Sequence, residues 1–219
     1  MKLKSILCCM LVMGLTACEK TSEWGFRNGE TVNLTVGPHQ GSTDDRLIVT
    51  KTKESTDMKL HDFPRIPGYT YNVRAKFVIL DNPPMDGSCC HFKFVKVLKK
   101  TKYNGNDVFK IQLIRSTLPD GDAILINKTE DGVFQFSYPS ITLIPTDDII
   151  KGKLEEMNVE AARVAAAFKQ VLQSIDPIDV SDPKFNTILK WKHIIATVRH
   201  DPNNFGSAYI VEDISFTNR

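Results

Sequence analysis

Polar and apolar residues alternate through most of this chain, and the alternation predicts strands. Thr31-Val32-Asn33-Leu34-Thr35-Val36 changes character at every step, the period of a strand with one wet face. Leu47-Ile48-Val49-Thr50 reads as a second short strand, after a polar loop over residues 37–45. Residues 51–57 are polar and predicted exposed. Residues 69–79 (YTYNVRAKFVI) form the longest alternating run, entered through a turn at Pro67-Gly68 and ended by Asp81-Asn82-Pro83-Pro84, since proline cannot continue a ladder. Residues 91–99 (HFKFVKVLK) are again strand-like, with faces mixed in the manner of a bulge. Asn104-Gly105-Asn106-Asp107 and Leu118-Pro119-Asp120-Gly121 are turns that bracket a strand over residues 108–115. Residues 123–127 and 133–138 read as a hairpin around Glu130-Asp131-Gly132, and residues 141–144 as a strand stopped by Pro145.

The period changes once. Val164, Phe168, Val171, Leu172 and Ile175 fall on one stripe at helical spacing, in an alanine-rich stretch. A helix is predicted over residues 159–174, with Asn158 as cap and Glu160 in the first turn, where the helix dipole favours an acid. Residues 146–157 are read as a short helical turn. Residues 188–199 and 209–216, rich in β-branched and aromatic side chains, are predicted to form a closing hairpin around the turn residues 201–206, although Asp182-Pro183 has the look of a helix start. The sum is an α+β protein, β-rich, of antiparallel sheets or a small barrel with one main amphipathic helix.

The N-terminus follows a different logic. Lys2 and Lys4 precede an apolar run over residues 6–15, which is as long as a signal-peptide core. It is too short to span a bilayer, which takes about 20 residues. Leu15-Thr16-Ala17-Cys18 then resembles the acylation and cleavage site of bacterial lipoproteins, with the Cys18 thiol as lipid acceptor. The alternative is an ordinary secretory signal in which Cys18 is incidental. The lipoprotein resemblance implies two or three acyl chains, enough for durable membrane attachment. Glu19 rather than Asp after the acceptor favours the outer membrane, facing the periplasm. The expected organisation is a signal peptide (1–17), a lipidated tether (18–29), a β-rich domain (30–102) and an α+β domain or extension (103–219).

Composition changes meaning once that segment is set aside. Lys2 and Lys4 are the only charged residues among the first seventeen, so the 28 basic residues fall to 26, equal to the 26 acidic ones. A neutral chain argues against nucleic acid as a partner. Five cysteines are reduced to Cys18 and the adjacent pair Cys89-Cys90. Neighbouring Cα atoms lie about 3.8 Å apart, short of the roughly 4.4–6.8 Å of ordinary disulfides. Two thiols on opposite faces of a strand are expected, with a strained vicinal or an intermolecular disulfide as the alternatives.

Candidate chemistry is sparse. Cys89 and His91 are the residues a soft metal or small ligand would use, being two apart and so on one strand face, with Asp86 nearby. No second ligand pair with metal spacing accompanies them. Lys93, Lys96, Lys99, Lys100 and Lys102, interleaved with Phe92, Phe94 and Tyr103, read first as a solvated face and edge protection, and second as a contact for anionic headgroups or a polyanion. The sequence holds no phosphate-binding glycine loop, no G-x-S-x-G and no H-E-x-x-H, and His39, His61, His193 and His200 are scattered. No catalytic residue and no cofactor is assigned.

Residues 66–75 (IPGYTYNVRA), Asn82-Pro83-Pro84-Met85-Asp86-Gly87-Ser88 and residues 92–98 together resemble a family of bacterial envelope proteins, domain of unknown function 4377, some of whose members accompany a domain similar to the heat-inducible lipoprotein HslJ. That family shows a G-Y-x-Y strand, an N-P-P-x-D-x-S turn and an L-V-E-V strand. The likeness covers residues 31–102, about a third of the chain. It implies an envelope location and a β-domain, but no reaction. Family members often carry two cysteines flanking the loop that corresponds to residues 37–45; this chain has none there, so that loop is expected to be looser. The expected function is therefore non-enzymatic: a lipid-anchored protein that binds another envelope protein. The alternatives are a small-ligand or metal carrier using Cys89 and His91, and an enzyme of envelope polymers.

Overall fold

The structure is a computed structural model and describes residues 25–83, 88–117, 121–137, 140–174 and 189–218; of residues 116, 117, 121, 122, 168 and 170–174 it describes the backbone only. It is strand-rich, with one helix and curled, mixed sheets that form a half-barrel. The first sheet contains β1 (Thr31–Val36), β2 (Leu47–Val49), β3 (Ser55–Thr56), β4 (Leu60–His61), β5 (Tyr69–Ile79) and β6 (Cys90–Lys102), in the order β3-β2-β1-β5-β6-β4. The second is built from β7 (Phe109–Gln112), β10 (Ile126–Lys128), β11 (Phe134–Ser137), β12 (Ser140–Pro145), β13 (Trp191–His200) and β14 (Ala208–Asn218), in the order β10-β11-β12-β14-β13-β7. Between β7 and β10, β8 (Ile114–Thr117) and β9 (Gly121–Ile124) pair as a separate ribbon. The predicted strand over 108–115 is thus split at Leu113, a fully buried residue around which the chain changes sheets.

The alternation seen in the sequence becomes burial. In β1, Val32, Leu34 and Val36 point inward; in β5, Tyr71, Val73, Ala75 and Phe77 do so, with Phe92 opposite Phe77 on β6. The pairing is antiparallel except at two places, where β4 runs parallel to β6 and β12 runs parallel to β14. The latter follows from the helix: the chain leaves β12, crosses through α1 (Asp148–Ser174), and returns as the β13–β14 hairpin, the closing hairpin expected from the sequence. The 123–138 hairpin is also present, with β10 and β11 in register from Ile126↔Phe136 to Lys128↔Phe134. The predicted bulge in residues 91–99 is double. Lys99 faces Asn72 and Val97 faces Val73, leaving Leu98 extra; Lys96 faces Arg74 and Phe94 faces Ala75, leaving Val95 extra.

The helix starts earlier than predicted. Asp147, not Asn158, is the cap: its Oδ1 accepts the N–H of Ile150 at 2.8 Å. Residues 146–157 are therefore mostly helix, and the buried face of α1 lies there, in Ile150, Leu154 and Met157, followed by Val164. Gly152 and the β-branched pair Ile149-Ile150 weaken the local helical signal; packing against the second sheet overrides it. Phe168, Val171, Leu172 and Ile175 of the predicted stripe lie outside the described side chains. Glu160 does not sit in a first turn but in mid-helix, where it accepts hydrogen bonds from Arg163 (Nε at 2.7 Å, Nη2 at 2.6 Å) and from the N–H of Lys190 at 3.0 Å. The Arg163 bond, more than any other contact, holds its carboxyl below the usual range. Among the described residues, no helix is long and apolar enough to cross a membrane.

The tether expected over residues 18–29 is docked from Phe26 onward. Phe26 meets Phe77 and Phe92 at ring distances of 5.3 and 5.7 Å, and Asn28 accepts the N–H of Ile79. Cys18, and with it the acylation site, lies outside the described residues.

Candidate functional site

Two places gather chemistry-bearing side chains. The first is the Cys89–His91 region that the sequence singles out. Strand alternation separates the cysteines: Cys90 is buried against Met58, its Sγ 3.7 Å from the thioether sulfur, and Cys89 is exposed. Their sulfurs lie 3.8 Å apart, too far for a bond between them. His91 does not turn to a cysteine. Its ring lies 4.3 Å from that of His61, which β4 carries in beside β6. Burial first, and then the proximity of His61, keeps His91 below the ordinary histidine value. Asp86 lies outside the described residues. Among those described, no group of three or more His, Cys, Asp or Glu side chains is placed to hold a metal ion.

The second place is the joint between the sheets, which sequence reasoning missed. His39, on the loop after β1, stacks on Phe109 of β7 at 4.3 Å and 10°, and meets Tyr103 edge-on at 5.0 Å. His200, the last residue of β13, lies 5.3 Å from His39 and is ringed by Phe109, Phe205, Tyr209 and Tyr103. His200 is only 6% exposed, yet among the described residues neither ring nitrogen has a hydrogen-bond partner, and Nε2 of His39 has none either. Burial, reinforced by His39, lowers His200 from 6.5 to about 4. His39 is also lowered, by burial above all; Asp107 and Asp45 oppose the shift and Arg65 adds to it. Both rings are therefore neutral at neutral pH. Tyr209 is fully buried, its phenol pushed up by burial, and its hydroxyl donates to the carbonyl of Gln40 at 2.8 Å, tying β14 to the loop of the other sheet.

That loop is far from loose. Arg65 grips Asp45 with two bonds of 2.7 Å and donates a third to the carbonyl of Gly37 at 2.7 Å. Asp45 also accepts the N–H of Gly41. This bidentate, largely buried ion pair closes the loop on itself. Ser42 bridges to Ile111, and Thr43 donates to the carbonyl of Lys110, so the loop is pinned across to β7.

The joint can pack and can respond to acid. A general base needs a partner that orients its ring and a nucleophile within reach. His39 and His200 have neither among the described residues, and their neighbours are chiefly aromatic. A cleft of about 260 Å³ lined by Tyr103, His200 and Phe205 opens beside them, and one of about 490 Å³ lies along the pinned loop. The lysine run divides between the two faces of β6. Lys100 reaches over the ring of Tyr69 at 3.9 Å and Lys102 over Phe205 at 4.3 Å, while Lys93, Lys96 and Lys99 share the opposite, outer face with Lys76, Arg74 and Asn72, the residues directly across from them on β5. Compared with family models, curated proteins and solved structures, the chain matches none.

Proposed function

We propose that this chain is a lipid-anchored protein of the bacterial cell envelope that acts by binding rather than by catalysis. The observation that carries the reading is the order of elements before Glu19: two lysines, an apolar run over residues 6–15, and Leu15-Thr16-Ala17-Cys18. Cys18 is the proposed acyl acceptor and the periplasmic face of the outer membrane the proposed location. Another envelope protein is the proposed partner. The architecture is compatible with this role: the chain docks from Phe26 onward and so follows closely on a short tether.

The test is intact mass spectrometry of the detergent-extracted protein. The expected species begins at Cys18 and carries the mass of two or three acyl chains. An unmodified chain, or one cut elsewhere, overturns the proposal. The same spectrum addresses the alternative, a carrier working through Cys89 and His91. A stoichiometric extra mass, lost in Cys89→Ser or His91→Ala, would favour the carrier, which at present draws support from the His61–His91 ring pair alone.

A further inference from the structure

The outer face of the first sheet is a cationic array, and its making has a physical cost. Lys76 stands directly across from Lys93, and Arg74 across from Lys96. Like charges directly opposed on neighbouring strands are destabilising. Lys99, opposite the neutral Asn72, extends the row. On the far side of β5, the residues opposite Lys76, Arg74 and Asn72 are Thr31, Asn33 and Thr35, all neutral. No Asp or Glu occupies a strand position of this face. Asp62 follows β4 and Glu30 precedes β1, and the Glu30 carboxylate accepts the N–H of Arg27. Among the described residues, none of the five cations enters an ion pair. Edge protection does not account for the pattern. It calls for lysines on an edge strand, whereas Arg74 and Lys76 lie on β5, between β1 and β6.

The entering chain packs on the opposite, inner face of the same two strands. Phe26 packs on Phe77 and Phe92, the neighbours in sequence of Lys76 and Lys93. Seven Cα-to-Cα steps separate Cys18 from Gly25, the first described position. At roughly 3.5 Å per residue they reach at most about 25 Å. We infer that the outer face of β5 and β6, through Arg74, Lys76, Lys93, Lys96 and Lys99, lies on the anionic phospholipid headgroups of the membrane that holds the lipid anchor. Lysine suits this contact because it acts as a point charge and needs no fixed partner geometry. Strands lie about 4.8 Å apart, so the cations form a closely spaced, extended array that matches a layer of phosphates better than a single bound anion. The inference rests on the lipid-anchored reading.

The experiment keeps the two apart. The full chain is incorporated into vesicles of phosphatidylcholine alone or with added phosphatidylglycerol, floated, and its lysines are acetylated and read by mass spectrometry. Flotation with the neutral vesicles tests the anchor. On anionic vesicles at low salt, Lys76, Lys93, Lys96 and Lys99 should react at least about fivefold more slowly than on neutral ones, each basic group at such a surface being worth roughly fivefold in adsorption. Lys100 and Lys102, on the other face, should not change. About 1 M salt, where the screening length shrinks to about 3 Å, should abolish the difference. In Lys93→Glu/Lys96→Glu/Lys99→Glu, where the first two new charges face Lys76 and Arg74 and the third faces the neutral Asn72, Lys76 should lose its protection. Equal labelling on the two kinds of vesicle, as a face reserved for an acidic protein would give, or equal protection of Lys100 and Lys102, overturns the inference. If the chain fails to float with neutral vesicles, the anchor reading falls; co-sedimentation with anionic vesicles then tests the face by itself, and no binding there overturns the inference.

Discussion

Among the described residues, twenty buried side chains make up the core of the second sheet and eleven that of the first. The helix is the reason. It lays Ile150, Leu154 and Met157 on the second sheet, and Lys153 and Glu155 tie it down through Asp213 and Lys128. Among the described residues, no helix covers the first sheet, and its inner face is closed by single side chains from elsewhere: Phe26 from the entering chain, Met58 and Phe63 from its own loops. A sheet covered piecemeal leans on its neighbour, and the leaning happens at the joint, where the pinned loop, Tyr209 and the two histidines meet. The comparison therefore predicts unequal stability joined by a sensitive seam.

The largest effects come from emptying each core in turn. Leu154→Ala should cost about 2–5 kcal/mol and Phe77→Ala about 3–5 kcal/mol, since both side chains are fully buried. Urea denaturation followed by tryptophan fluorescence and by circular dichroism distinguishes two outcomes. If the seam makes one cooperative unit, each variant lowers a single shared midpoint. Two separated transitions, each answering to one variant only, would show that the sheets stand independently.

Acid should open the seam next. His200 titrates near 4 when folded and near 6.5 when unfolded, so the unfolded chain takes up the proton first. The stability that depends on the neutral ring is fully present above pH 6.5 and is lost as the pH falls towards 4. At 1.36 kcal/mol per unit, the loss is about 3 kcal/mol, with His39 acting in the same direction. His200→Phe keeps a ring among Phe109, Phe205 and Tyr209 and removes both unpartnered nitrogens. Urea midpoints at pH 7 and 4.5 should differ much less in this variant than in the parent. An unchanged difference would locate the acid sensitivity elsewhere.

A smaller effect comes from the other side of the seam. Gly68 has φ +81°. A Cβ there would lie 2.5 Å from the Phe205 ring. Gly68→Ala should cost about 2 kcal/mol, part backbone strain and part overlap. Phe205→Ala as a second change should relieve the overlap and leave about 1 kcal/mol of strain. A double-mutant cycle that shows no coupling would mean the ring moves aside freely.

These features differ in how far a single sequence discloses them. The alternation of β1 and β5, the placement of Cys89 and Cys90 on opposite faces, and the closing hairpin were readable because side-chain direction in a strand is a local property with a period of two. The stacking of His39 near His200, and the grip of Arg65 on Asp45, were not, because they depend on how two sheets meet and no local period encodes that. The lysine run was visible, but not its division between two faces, which the bulges at Val95 and Leu98 decide. Nor were Arg74 and Lys76 recognisable as its partners without the register.

The helix start is the sharpest case, and also the smallest expected effect. Asn158 has the chemistry of a cap and precedes a strong helical stretch, so local reasoning favours it. Asp147 precedes Ile149, Ile150 and Gly152, a poor local beginning. The structure chooses Asp147 because starting there brings Ile150 and Leu154 onto the second sheet, and two buried aliphatic side chains outweigh a few tenths to about 1 kcal/mol of propensity. Asp147→Ala should therefore cost about 1 kcal/mol, through the lost bond to the Ile150 N–H. Asn158→Ala, in mid-helix, should cost nothing or stabilise by a few tenths, since alanine is the better helix former. Chemical denaturation midpoints of the two variants decide the matter. The reverse order would return the helix start to Asn158, remove Ile150 and Leu154 from the core, and take away the advantage that the second sheet holds over the first.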